Sequence, residues 1–148
     1  MAEIGFYHLL STPLERALPR LLERASAQGH RIVVRAGSIE RAEYLCAALW
    51  TYEEGAFLPH GSASDGQAAR QPIWLTHHEE NPNGASLLVL VDGVEAADLP
   101  SFSRCFDLFD GNDAEVVAAA RGRWRRARDQ GHALTYWQQT HTGWERKS

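Results

Sequence analysis

Residues 31–40 read Arg31-Ile32-Val33-Val34-Arg35-Ala36-Gly37-Ser38-Ile39-Glu40, and the segment continues to Leu49-Trp50. A β-branched apolar triplet between two arginines is too short for a helix and suits a buried strand. Ser38 then offers a side-chain cap, predicting a helix to about Trp50 with Ile39, Leu45, Cys46 and Leu49 inward. The preceding segment has the same order. Residues 4–10 read as a strand. Thr12-Pro13-Leu14-Glu15 has a capping-box pattern, with Thr12 as N-cap and Pro13 at the first helical position. That helix should reach about Gln28, with Leu14, Leu18, Leu21, Leu22 and Ala25 on one face. Pro19 should kink or restart it, and Gly29 should end it. Strand, helix, strand, helix predicts an α/β domain: a central, largely parallel sheet flanked by helices.

Working outward, residues 51–72 read as a long loop, aromatic and acidic at first and then small and polar. A short strand follows at 73–76, then a turn through Asn81-Pro82-Asn83-Gly84. The Leu-Leu-Val-Leu-Val run of residues 87–91 is the most apolar stretch and belongs in the middle of the sheet. Residues 105–109 suggest a further strand. Asp113 opens a last long helix to about Gln130, which Gly131 stops. The aromatic tail, 134–144, should pack back on the domain. No repeat is visible, and residues 1–148 are expected to form a single domain.

With 44% hydrophobic and 23% charged residues, the composition is that of a globular protein rather than a disordered one. No apolar run approaches the ~20 residues of a membrane span, and the N-terminus lacks the pattern of a secretory signal. Cys46 and Cys105 form no CxxC pair. A cytoplasmic setting with buried, inert thiols is therefore expected.

Several chemistries lack their residues. The only lysine is Lys147, so no GxxxxGK[ST] phosphate loop exists, and no GxGxxG follows the first strand. Asp92-Gly93 therefore reads as a strand-end turn rather than a magnesium-holding acid. His77-His78-Glu79-Glu80 has no metal-ligand spacing and reads as a solvated loop. His60 has no nucleophile elbow or acid–base partner and reads as an orienting or capping histidine. No catalytic residue, metal site or cofactor is expected.

The charge pattern is more informative. Residues 121–128 hold five arginines around Trp124, in a chain of net charge −4, so the rest of the chain carries −4 less five, or −9. On a helix, Arg121, Trp124, Arg125 and Arg128 share one face. Guanidinium forks around an indole suit an anion with an apolar or aromatic anchor. The same spacing also describes a solvated helix whose basic end complements its dipole. A third reading is a direct single-stranded nucleic-acid module, with arginines on phosphate and Trp124 stacking on bases. The net acidity argues against a general nucleic-acid binder.

With these elements in place, the sequence resembles the chi subunit of the bacterial DNA polymerase III holoenzyme over nearly its whole length. The resemblance rests on Phe6-Tyr7, Ala48-Leu49-Trp50, Phe57-Leu58-Pro59-His60, the strand from Leu87 to Asp92 and the arginine–tryptophan helix. Leu108-Phe109-Asp110-Gly111-Asn112-Asp113 and Thr135-Tyr136-Trp137-Gln138 resemble the family's alphaproteobacterial branch. The resemblance implies a three-layer α/β fold and a non-catalytic adaptor. Such an adaptor joins the clamp-loader complex to single-stranded DNA-binding protein by holding that protein's acidic C-terminal tail, which ends in proline and phenylalanine. It places Arg121, Trp124 and Arg125 at the tail-binding positions, with Arg128 as a further cation. A basic position of the family, two turns before Trp124, is Val117 here. A second surface, for the psi subunit or a repair helicase, maps to Trp50, Phe57, Pro59 and His60. Read without the resemblance, Trp50 and Phe57 suit a satellite core better than an interface. Contact with nucleic acid would be mainly indirect.

Overall fold

In the computed structural model, residues 2–148 are described, and the chain winds strands and helices around one twisted sheet. The elements are β1 (Glu3–Leu9), α1 (Leu14–Ala27), β2 (Ile32–Arg35), α2 (Ile39–Thr51), β3 (Gly61–Ser62), β4 (Ile73–Thr76), β5 (Leu87–Leu90), β6 (Arg104–Asp110), α3 (Ala114–Asp129), β7 (Ala133–Gln139) and β8 (Trp144–Arg146). The sheet order is β3-β4-β2-β5-β6-β1-β7-β8. Every pairing is parallel except β7 with β8.

Alternation along the strands separates two cores. Tyr7, Val34, Leu75, Val89 and Leu108 face α1 and α2, packing on Leu18, Leu22, Leu45 and Leu49. Ile4, Phe6, Val33, Leu88 and Cys105 face the other way, onto Ala120 and Ala127 of α3. The expected three-layer α/β architecture is therefore present. As the most apolar run, β5 is central, with all four residues buried.

Local differences from expectation have physical causes. Thr12 does not cap α1, because its hydroxyl accepts a hydrogen bond from Gln139 Nε2 at 2.6 Å. Gln139 Oε1 in turn accepts from the backbone N–H groups of Leu10, Ser11 and Thr12. A β7 side chain thus fixes the turn from β1 into α1. Pro19 is buried within α1, which passes through it as one helix. Ser38 caps α2 as expected, accepting from Arg41 N at 3.1 Å. Ile39, expected inward, is 47% exposed. The buried stripe of α2 is Ala42, Leu45, Cys46 and Leu49, and Ile39 lies in the open first turn. The aromatic tail packs back as expected, but as strands: β7 lies parallel to β1, and β8 turns back along β7. The long loop contains the two-residue strand β3 and a 3-10 turn at Ala68–Arg70.

Asp92 and Gly93 form the strand-end turn, both with positive φ (58° and 75°). The Asp92 carboxylate accepts from Gly37 N and from the Arg41 guanidinium, so it ties the end of β5 to the start of α2. No helix among the described residues is long and apolar enough to cross a membrane.

Candidate functional site

The arginine–tryptophan helix is α3. Asp113 caps it, accepting from Glu115 N at 3.0 Å and Val116 N at 3.3 Å. Ala120 and Ala127 are small enough to let it lie close to the sheet, and Arg123 completes the buried stripe. The five arginines separate into distinct roles. Arg123 points inward and grips Asp107 of β6 through two hydrogen bonds, at 2.7 and 3.0 Å. Arg126 reaches across to Glu95. Arg128 lies 3.3 Å from its neighbour Asp129. Arg121 and Arg125 are exposed and enter no ion pair among the described residues.

Trp124 is not a free-standing ring. Its indole meets the edges of Phe6 (5.3 Å between centroids) and Tyr136 (5.8 Å), on the flank of α3 that faces β1 and β7. Tyr136 Oη lies 2.6 Å from His8 Nδ1. Burial pushes the Tyr136 phenol up, opposed by the Arg121 cation. Burial lowers the His8 imidazole, and Arg121 acts in the same direction. Arg121 is thus electrostatically close to an aromatic floor of Trp124 and Tyr136. An exposed pair of guanidinium groups beside that floor can take a carboxylate by charge-assisted hydrogen bonds and an apolar group by contact. Val117 packs half-buried against the α3-side core.

The second set of residues lies at the C-terminal end of α2. Trp50 is 49% and Phe57 79% exposed, so neither belongs to a satellite core. Pro59 is also exposed. His60 is 3% exposed and lies under Trp50, ring to ring at 3.9 Å. Its nitrogens approach the carbonyls of Leu58 (2.6 Å) and Cys46 (2.9 Å), which fixes the ring. His60 therefore holds Trp50 outward from beneath rather than presenting its own surface. His77 and His78 lie on an exposed turn, their rings 3.9 Å apart.

This arrangement has relatives. A family model described as "DNA polymerase III chi subunit, HolC" matches residues 1–135. The chain belongs to the DNA polymerase III chi subunit family. It is similar to the "Probable DNA polymerase III subunit chi" of Rickettsia prowazekii (strain Madrid E), 35% identical over 97 residues. That match covers 66% of this chain and 59% of the Rickettsia protein. It is also similar to the "DNA polymerase III subunit chi" of Pseudomonas aeruginosa, 29% identical over 137 residues, which cover 90% of this chain and 94% of that one.

The sequence reading of this chi-family chain missed two features of the site. Arg123 counted only as one more cation, although an arginine between Ala120 and Ala127 on the buried stripe marks it as a core residue needing an acid. Tyr136 reads from the sequence as part of an aromatic tail and of a family motif, with no place at the site. Its partnership with Trp124 depends on β7 lying beside β1, which no local pattern specifies.

Proposed function

We propose that the chain is a non-catalytic adaptor of the cytoplasmic replication machinery. It binds the acidic C-terminal tail of single-stranded DNA-binding protein on α3 and links it to the clamp-loader complex. The observation that carries this reading is the pair of exposed guanidinium groups, Arg121 and Arg125, without an ion-pair partner among the described residues, on the helix that carries the Trp124–Tyr136 floor. Bidentate pairing fits a terminal carboxylate, and the aromatic edges fit the side chain that bears it. Arg128 offers a further charge toward the acidic stretch of the tail. The exposed Trp50–Phe57 surface, at the C-terminal end of α2 and in the loop after it, is the docking place for a psi subunit or a helicase. Exposed aromatics are favoured interface anchors, and His60 supports Trp50 from beneath.

Calorimetry with an acidic peptide ending in Pro-Phe tests the tail reading against the same peptide amidated at its C-terminus. The free acid should bind and the amide should bind far less well. Equal binding, removed by salt near ~0.15 M, would reduce the site to diffuse charge attraction.

A further inference from the structure

On the face of the sheet opposite α3, α1 carries Arg16, Arg20 and Arg24 at i, i+4 and i+8. All three are exposed and outside every ion pair of the described residues. They form a row about 12 Å long on one side of the helix. Facing this row stand the indoles of Trp137 on β7 and Trp144 on β8. Both rings pack on Tyr7, Trp137 stacked at 6.3 Å and Trp144 edge-on at 5.1 Å. Between row and indoles run two adjoining grooves of ≈ 530 and ≈ 210 Å³, with Leu21, Arg24 and Trp144 in both walls. Arg104 enters the smaller groove. Its guanidinium lies 5.2 Å above the Phe106 ring, and its Nε is buried without a hydrogen-bond partner among the described residues.

The lining of both grooves contains four arginines and His141 but no Asp or Glu. In a chain of net charge −4, that is a pronounced local excess. The contrast with the ≈ 690 Å³ crevice at the strand ends is direct. There Glu15, Asp92, Asp110, Asp113 and Glu115 line the walls, and both arginines present, Arg41 and Arg123, are paired.

We infer that the groove between α1 and the β7–β8 hairpin binds a segment of single-stranded nucleic acid, phosphates along Arg16, Arg20 and Arg24 and a base against Trp144. A regular row of cations matches a regularly charged backbone better than it matches one carboxylate. Indole faces accept any base by stacking, so recognition needs no sequence. Arg104, in the wall of the smaller groove, adds a fourth cation to the electrostatic track. The site is separate from the α3 face. Tyr136 and Trp137, adjacent on β7, point to opposite sides of the sheet, one toward Trp124 and the other into this groove.

The test is fluorescence anisotropy of a fluorescein-labelled oligothymidylate titrated with the full chain at low salt, repeated at rising salt. Arg20→Ala/Arg24→Ala, at two exposed positions, should weaken binding at least tenfold. It should also flatten the salt slope by about 1.4, as expected for two lost contacts to a single strand. Arg121→Ala/Arg125→Ala on α3 should leave both quantities unchanged. Circular dichroism of each variant confirms the fold, and quenching of indole fluorescence in the parent reports stacking without any mutation. Absence of binding by the parent overturns the inference. So does a loss confined to the α3 variant, or displacement of the oligonucleotide by an acidic peptide ending in Pro-Phe, which would assign the groove to a peptide.

Discussion

Asp107 and Arg123 are almost wholly removed from water, with side chains 4% and 7% exposed. Burial pushes the Asp107 carboxyl up, and Arg123 pulls it down. Such a pair specifies how α3 sits on β6 more than it stabilises the fold, because desolvation offsets most of the attraction. Removing one partner is different. Asp107→Ala should cost about 3–5 kcal/mol in urea unfolding, since it strands a buried cation, whereas Asp107→Leu combined with Arg123→Met should come close to the parent. A second arginine, Arg35, is 2% exposed and holds Asp98 through two hydrogen bonds of 2.6 Å, latching the 94–101 segment over the α3-side core. Hydrogen bonding to Arg35 holds the Asp98 carboxyl below the usual carboxylate range. A depressed folded pKa means the stabilisation is present above the unfolded value, ~3.9, and is lost as pH falls through the folded one. Urea midpoints should therefore fall below about pH 4, and Asp98→Asn should lack that part of the acid limb. Cys46 and Cys105 are buried free thiols; burial raises both, Cys46 to about 11. Neither has the thiolate character of a reactive cysteine.

At the scale of elements, α3 is two surfaces in one helix. Its buried stripe of Ala120, Arg123 and Ala127 fixes it to the sheet, and the exposed side carries Arg121 and Arg125. Arg125→Ala should therefore weaken the tail peptide by about 1–3 kcal/mol in calorimetry without changing the melting temperature. Trp124→Ala should lower both, because the indole also packs on Phe6 and Tyr136. A Trp124 variant with an unchanged melting temperature would contradict that packing. α2 shows how phase decides burial. Ala42, Leu45 and Leu49 follow helical spacing onto the sheet, while Trp50, one residue further, is turned out by about 100° and rests on His60. This is why Trp50, which its place at the end of an amphipathic helix suggests for the core, stands on the surface instead.

For the whole molecule, the sheet is the insulator between surfaces. The α3 face and the groove of α1 with β7–β8 lie on opposite sides of the sheet, and the Trp50–Phe57 surface is carried by α2 and the loop after it. Mutations at separated sites that share no contact are expected to add independently. Phe57→Ala and Trp50→Ala should each abolish capture of a psi subunit or helicase partner yet leave tail-peptide affinity within about 0.5 kcal/mol of the parent. Phe57→Ala should also leave the melting temperature unchanged, because a side chain 79% exposed loses little burial. Loss of both partners with a large drop in melting temperature would return these aromatics to the core.

What the sequence determined by itself was whatever depends on neighbours in the chain. The β-branched triplet at 32–34, the apolar run in β5, the Ser38 and Asp113 caps and the Asp92-Gly93 turn act within a few residues, so their patterns predict them. The arginine cluster and the family motifs were equally visible. Which arginines are free was decided only by tertiary structure. Arg123 meets Asp107 because α3 crosses β6, and Arg126 meets Glu95 because the 94–101 segment folds over the same face. The tail became β7 only because the edge of β1 offered unpaired backbone groups, and that pairing put Tyr136 and Trp137 on opposite faces. Burial and pairing depend on what the fold brings alongside each residue, and that information lies across the sheet rather than along the chain.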